Sequence, residues 1–309
     1  MKHRPFLQGI LNHCYQRSAD GGVIFYSTSD YLIWFTIVCV AARKYRIKVL
    51  SLCPMPDHTH LSVVADTVQD LSNFMGEVNR TFSRAHNKQC RIKISWFESS
   101  FGSVHKTGTK DGRSNLIYVG NNPVERQIVI NAEDYRWTFI AYAVSTHPFS
   151  EKLVIRKASW NMRKAIWEVK ELQKKGKPLN YALLKRITKK LDEKEINQLT
   201  DFVIVTYNVI DYKECLRYFD GKYTNYLTAL HSTTTHEYDL NETFVGWSDA
   251  HYAKMARILL DGLKLQDIHD FLSWPLKERE KLFPLLRNRT KASAAQIRKY
   301  LHLSQGQIA

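Results

Sequence analysis

RIKVLSLCPMPDHTHLSVVA, residues 46–65, decides how the first half of this chain folds. Residues 46–53 alternate apolar and polar, and 58–65 do so again; a period of two marks a strand with one buried face. Pro54-Met55-Pro56-Asp57 joins the two runs, and so short and turn-rich a link folds them back as a hairpin-like pair. In the second strand His58, His60, Ser62 and Val64 then share one face. Thr59, Leu61, Val63 and Ala65 share the other, an apolar set suited to packing on helices. Two imidazoles side by side on a rigid strand form a bidentate clamp for a metal ion. The same spacing also occurs in ordinary strands, and no cysteine motif here completes a tetrahedral zinc set.

On the N-terminal side, 9–17 (GILNHCYQR) reads as a strand followed by a turn at Ala19-Asp20-Gly21-Gly22. Ser29 is placed to cap a helix running to about residue 43, with the 31–42 run YLIWFTIVCVAA as its buried face. That run is well short of the ~20 apolar residues that span a bilayer. Past the histidines, 68 to about 87 reads as a second helix and 91–96, with the residues after it, as a further strand. The order β-α-β-β-α-β predicts an α+β, ferredoxin-like antiparallel sheet with helices on one face, over about residues 1–148. Ser114 can cap a short helix ending at Asn122, before Pro123. On it Tyr118 and Asn122 are four apart and share a face, and Gly120 permits a close approach to sheet or substrate.

Composition bounds the partners. The chain has 309 residues and a net charge of +15. Between Lys152 and Lys190 lie thirteen Lys/Arg against Glu168 and Glu171, so this stretch holds +11 of that charge. Such a concentration attracts a polyanion and releases counterions on binding it, although a solvated helical face would look the same. Arg156, Lys157, Arg163, Lys164, Lys185, Arg186, Lys189 and Lys190 are the candidate contacts, with Trp160, Trp167 and Tyr181 interleaved as base-stacking or core aromatics. Residues 149–230 therefore read as a basic helical DNA-binding extension, and 231–309, opening on the polar run HSTTTHEYDLNE, as a small helical C-terminal module. In the latter, Ser293 to Gln296 forms a capping box, and 287–304 resembles the first helix and turn of a helix-turn-helix: a packing module, or a truncated DNA-binding one. Five scattered cysteines suit the reduced thiols of a cytoplasm. No apolar stretch near the N-terminus suggests a secretion signal, and no membrane partner is expected.

Cys53-Pro-Met-Pro-Asp-His-Thr-His-Leu61 resembles the metal motif of the HUH single-strand nucleases, in the form used by REP-associated tyrosine transposases. The resemblance continues in order: Asn79-Arg-Thr-Phe82 followed by Asn87, then Tyr118-Val-Gly-Asn-Asn-Pro-Val124, then Asp134-Tyr-Arg-Trp137, covering about residues 5–145. Two departures stand out. Thr59 replaces the usual hydrophobic residue between the histidines, and 94–111 (ISWFESSFGSVHKTGTKD) lacks the family's text before the tyrosine.

The resemblance implies that Tyr118 is a nucleophile giving a 5′-phosphotyrosine and a free 3′-OH, on single-stranded DNA flanked by a hairpin, in a bacterial, nucleoid-associated protein. The Asn122 carbonyl is then the third metal ligand, with Asn121 as competitor. A mixed nitrogen and oxygen site with open positions suits Mg²⁺ or Mn²⁺. A non-catalytic DNA-binding regulator built on the same scaffold is the rival reading. A metal-dependent hydrolase of small phosphoesters would leave the basic stretch and the tyrosine unexplained. Oligomeric state is open, since the family includes monomers and dimers.

Overall fold

In a computed structural model, residues 6–232 and 248–303 are described. Strand β1 (Leu11–Arg17), helix α1 (Thr28–Lys44), strands β2 (Lys48–Met55) and β3 (His58–Val64), helix α2 (Val68–Cys90), strand β4 (Gly102–Lys106) and helix α3 (Gly108–Glu125) follow one another. The sheet is antiparallel in the order β2-β3-β1-β4, the ferredoxin-like arrangement expected. Only Pro56 and Asp57 separate β2 from β3, which pair from Met55↔His58 onward. Pro54 is tolerated because β2 is at the edge of the sheet.

The two sheet faces do different work. Leu61 and Val63 are fully buried toward α1 and α2, and Thr59 is as buried as they are. The Asn79 amide on α2 donates to Gln16 Oε1 at 2.8 Å, and Gln16 stands opposite Thr59. Helix α2 shows a single apolar stripe: Leu71, Phe74, Met75, Val78, Phe82 and Cys90. Helix α1 is buried nearly all round because helices from later in the chain enclose it, which accounts for its continuous apolar run. The opposite face, carrying the histidines, is crossed by α3: Ser62 Oγ donates to Asn115 Oδ1 at 2.8 Å.

Three local expectations are corrected. The cap of α1 is Ser27, not Ser29, and the Asp30 carboxylate accepts from the backbone N–H of Tyr26 and Ser27, both at 2.8 Å. Residues 91–96 form no strand. Arg91 ends α2 in the left-handed conformation, and the Asn87 side chain takes the N–H and C=O of Ile94 and the Trp96 indole N–H, satisfying these groups without a ladder. The fourth strand lies further on, paired with Leu11 to Tyr15 of β1. Helix α3 starts at Gly108 rather than after Ser114 and runs through Pro123. A proline in a last turn removes one N–H, and the Arg126 N–H still bonds Asn122 O at 3.1 Å.

The remaining helices wrap this core. Of helices α4 (Trp160–Lys174), α5 (Tyr181–Thr188) and α6 (Glu193–Tyr207), the last two pack beside α1 and α4 packs on them; the Leu179 N–H bonds Thr36 Oγ1 of α1 at 3.1 Å. Helix α7 (Tyr212–Arg217) adjoins the β2 edge, and α8 (Tyr223–Ser232) lies on α3. The polar run read as a boundary falls, from 233 on, outside the described residues. The final helices are α9 (His251–Leu263), α10 (Leu276–Glu280), α11 (Leu282–Arg289) and α12 (Ala294–Leu301), which opens with the predicted Ser293/Gln296 capping box. Ile297, Tyr300 and Leu301 are buried against the rest of the molecule, so α12 is a packing element. Among the described residues no helix is long and apolar enough to cross a membrane.

Candidate active site

Alternation along β3 sends His58 and His60 to the same face, and α3 brings Tyr118 and Asn122 over them. The ring centroids of His58 and His60 are 4.8 Å apart, and the Tyr118 ring packs edge-on to His60 at 5.3 Å. Asn122 Oδ1 lies 3.3 Å from His58 Nε2. Asn121, the competing amide, points elsewhere: its Nδ2 donates to Leu230 O on α8 at 2.9 Å. Gly120 makes this packing possible, since a Cβ there would press on Leu230, Ile140 and Tyr226. His58, His60, Tyr118 and Asn122 are all at most 5% exposed, so the site is closed over in this conformation.

Each histidine is held by its Nδ1. His58 Nδ1 is 2.6 Å from Asp57 Oδ1, and the other Asp57 oxygen is 2.7 Å from Lys299 Nζ. Burial pushes the Asp57 carboxyl up, but His58, Lys299 and Arg126 together hold it well below the usual carboxylate range. His60 Nδ1 is 3.0 Å from Nε2 of His13 on β1. Burial lowers the pKa of both rings, His13 to about 3, with Lys106 adding to the effect on His13 and His58 to that on His60; both are neutral and able to act as ligands or acceptors.

The donor set fits a divalent cation. His58 Nδ1 is taken up by Asp57 Oδ1, and Nε2 is the ring nitrogen that faces the carbonyl oxygen of Asn122. His58, His60 and the Asn122 oxygen would hold such an ion, which would supply positive charge beside Tyr118. Among the described residues, another grouping of potential ligands is His86, Cys90 and His269. There both nitrogens of His269 already face carboxylates, Asp30 and Asp267, so the cluster reads as a buried ion-pair network.

His13 is the site residue that sequence reading missed. The segment 9–17 was read as a strand, but its register against β3, which sets His13 opposite Ser62 and beside His60, is not a local property. The other motif residues have supporting roles. Tyr135 donates to Pro54 O at 3.2 Å, Trp137 stacks on Tyr31 at 4.6 Å, and Arg136 lies over the Phe149 ring. Between α2 and 94–101, the stretch that departs from the family, Arg80, Arg84, Asn79 and Trp96 line an open cleft.

The eight basic residues expected to grip DNA are all exposed, but they are not equivalent: Arg186 is in a two-pronged pair with Glu168. Trp160 and Trp167, left open between core and base stacking, are 66% and 61% exposed. They are seven residues apart on the outer face of α4, with Lys164 Nζ 5.3 Å from the Trp160 ring. Tyr181 points inward and hydrogen-bonds Asp30 and His86.

Fold and site together describe a four-stranded α+β domain presenting two histidines and a tyrosine to one another across a strand and a helix. Residues 27–117 match the family model for IS200-like transposases. This bears out the resemblance carried by the motifs, and the matched segment contains His58 and His60 and ends one residue before Tyr118. Among solved structures, the chain is similar to a REP-associated tyrosine transposase bound to a REP hairpin, at 18% identity and a TM-score of 0.41, over 47% of this chain and 84% of that one. No curated protein matches the chain.

Proposed function

We propose that this protein is a transposase-like enzyme that nicks and rejoins single-stranded DNA through Tyr118, with Mg²⁺ or Mn²⁺ held by His58, His60 and Asn122. The observation that carries this reading is the convergence of Tyr118 and Asn122 from α3 on the paired imidazoles of β3. The Tyr118 oxygen attacks the scissile phosphorus as the bond to the 3′ oxygen breaks, leaving a 5′-phosphotyrosine and a 3′-OH. The phenol loses its proton and the departing oxygen gains one. The phosphodiester energy is kept in the adduct, so another 3′-OH can reverse the step and join strands. A phenol with an unperturbed pKa of about 10 is a poor nucleophile at neutral pH. A bound divalent ion supplies charge that polarises the phosphate.

The basic face of α4 and α5, with the exposed Trp160 and Trp167, suits a DNA backbone and its unstacked bases. The motif resemblance adds a hairpin beside the cleavage point. The closed site favours one rival, a DNA-binding regulator that keeps the scaffold without turnover. One experiment separates them: labelled hairpin-bearing single-stranded DNA is incubated with the protein and Mn²⁺, then denatured. A protein–DNA adduct that disappears in Tyr118→Phe supports the enzyme. Binding with neither adduct nor nick, across metals and substrates, overturns it in favour of the regulator.

A further inference from the structure

The C-terminal helices reach the candidate metal site. The Lys299 ammonium on α12 is 2.7 Å from Asp57 Oδ2, and Asp57 Oδ1 is 2.6 Å from His58 Nδ1. The lysine is 242 residues from the aspartate in sequence, yet its position is fixed from several sides. Lys299 O accepts from the Val23 N–H at 3.1 Å, Tyr300 O accepts from the Tyr26 hydroxyl at 2.8 Å, and His302 meets Asp20 and Val23 O. Pro56 O, beside Asp57, accepts from the N–H groups of Ile24 and Phe25, so the segment that receives α12 also holds the β2–β3 turn. The same module touches the other half of the site. The Asp249 N–H bonds Arg126 O at 3.0 Å, Ser248 Oγ bonds Gln127 O at 2.7 Å, and Gln296 of α12 holds the backbone of Ser248. Arg126 follows Asn122 by one turn of α3. The module therefore bridges the histidine strand and the tyrosine helix.

We infer that Lys299 is a positioning residue for the metal site and that the C-terminal helices belong to the catalytic unit. This rests on the assignment of His58 as a metal ligand. A carboxylate with one oxygen committed to a cation cannot rotate, and its other oxygen then fixes the imidazole at Nδ1 with Nε2 turned to Asn122. Groups that orient metal-bound histidines in this way typically change metal affinity by about 10–100-fold when removed. The Lys299 side chain is 41% exposed but that of Asp57 is only 8% exposed, so Lys299→Met leaves a buried carboxylate with one partner fewer and lowers stability as well. The metal affinity of the folded protein separates the two roles: a positioning lysine changes it, and a purely structural one lowers the melting temperature and leaves it unchanged.

The test is titration calorimetry of Mn²⁺ into the full chain, comparing wild type with Lys299→Met, Lys299→Arg, Asp57→Asn and His58→Ala. Lys299→Met is expected to weaken Mn²⁺ binding about tenfold or more, with Lys299→Arg restoring most of the affinity because it keeps a cationic donor. In the adduct assay the Mn²⁺ concentration for half-maximal rate rises in Lys299→Met. Wild-type affinity in Lys299→Met, beside lost binding in His58→Ala, overturns the role of Lys299 alone. Wild-type affinity in His58→Ala overturns the metal-site assignment beneath it. If Lys299→Met does not fold, Asp57→Asn decides: weakened binding supports the relay, and unchanged binding ends it.

Discussion

Replacing His269 by glutamine removes a buried cation from between two carboxylates. His269 Nε2 lies 2.9 Å and 3.0 Å from the two oxygens of Asp30, at the start of α1, and Nδ1 meets Asp267 Oδ1. Burial alone would lower the pKa of this ring, but Asp30 and Asp267 raise it to about 10. The unfolded ring titrates near 6.5, so the interaction is worth its full amount below about pH 6.5, declines as pH rises, and is spent above about pH 10. A rise of that size corresponds to on the order of 5 kcal/mol, and breaking one side of a buried ion pair typically costs about 3–5 kcal/mol. Asp30 feels the same contact: burial pushes its carboxyl up, yet His269 and then His86 hold it below the usual range, so the energy is counted once. Urea unfolding of wild type and His269→Gln at pH 6.5 should differ by about 3–5 kcal/mol, shrinking to below about 1 kcal/mol at pH 10. Taking the difference between the proteins cancels the tyrosines, lysines and cysteines that also titrate at high pH. A gap under about 1 kcal/mol at pH 6.5, or one equal at both pH values, would refute the ion-pair account.

Three further outcomes are expected. Gly102 lies opposite Tyr15, where an added Cβ would enter the tyrosine ring, so Gly102→Ala should lower stability by about 1–3 kcal/mol in thermal unfolding, and Tyr15→Ala in the same chain should recover part of it. Trp160→Ala with Trp167→Ala should weaken single-stranded DNA binding by about 1–3 kcal/mol per stacked base without altering its salt dependence. Lys164→Gln with Lys185→Gln should instead flatten that dependence, read by fluorescence anisotropy from low to moderate salt.

Much of this was legible in the sequence because it is local. Alternation in 46–65 specified both strands and the shared face of His58 and His60, and the i,i+4 spacing of Tyr118 and Asn122 specified theirs. The error at residues 91–96 has a physical origin. Apolar content and β-branched residues suggested a strand, but Asn87 had already claimed the backbone of Ile94, and a side chain seven residues away is invisible to a pattern of period two. His13 illustrates a different limit. A strand shows which of its residues share a face, but not which strand it will pair with or in what register.

The exposed Trp160 and Trp167 and the inward Tyr181 mark the point at which composition stops being informative. All three lie among lysines and arginines, and all three are compatible with an amphipathic helix. What separates them is the buried carboxylate of Asp30, which gives a hydroxyl at Tyr181 a partner inside the molecule. Asp30 also receives His269 and caps α1, so one aspartate ties the first helix to the basic extension and to the C-terminal module. Asp57 does the same at the candidate site, joining His58 to Lys299. In both places an acidic residue of the α+β domain, unremarkable in a strongly basic chain, receives the groups that dock the later helices. The acids of the first 60 residues, Asp20, Asp30 and Asp57, thus each bind side chains from the later half: His302, Tyr181 with His269, and Lys299.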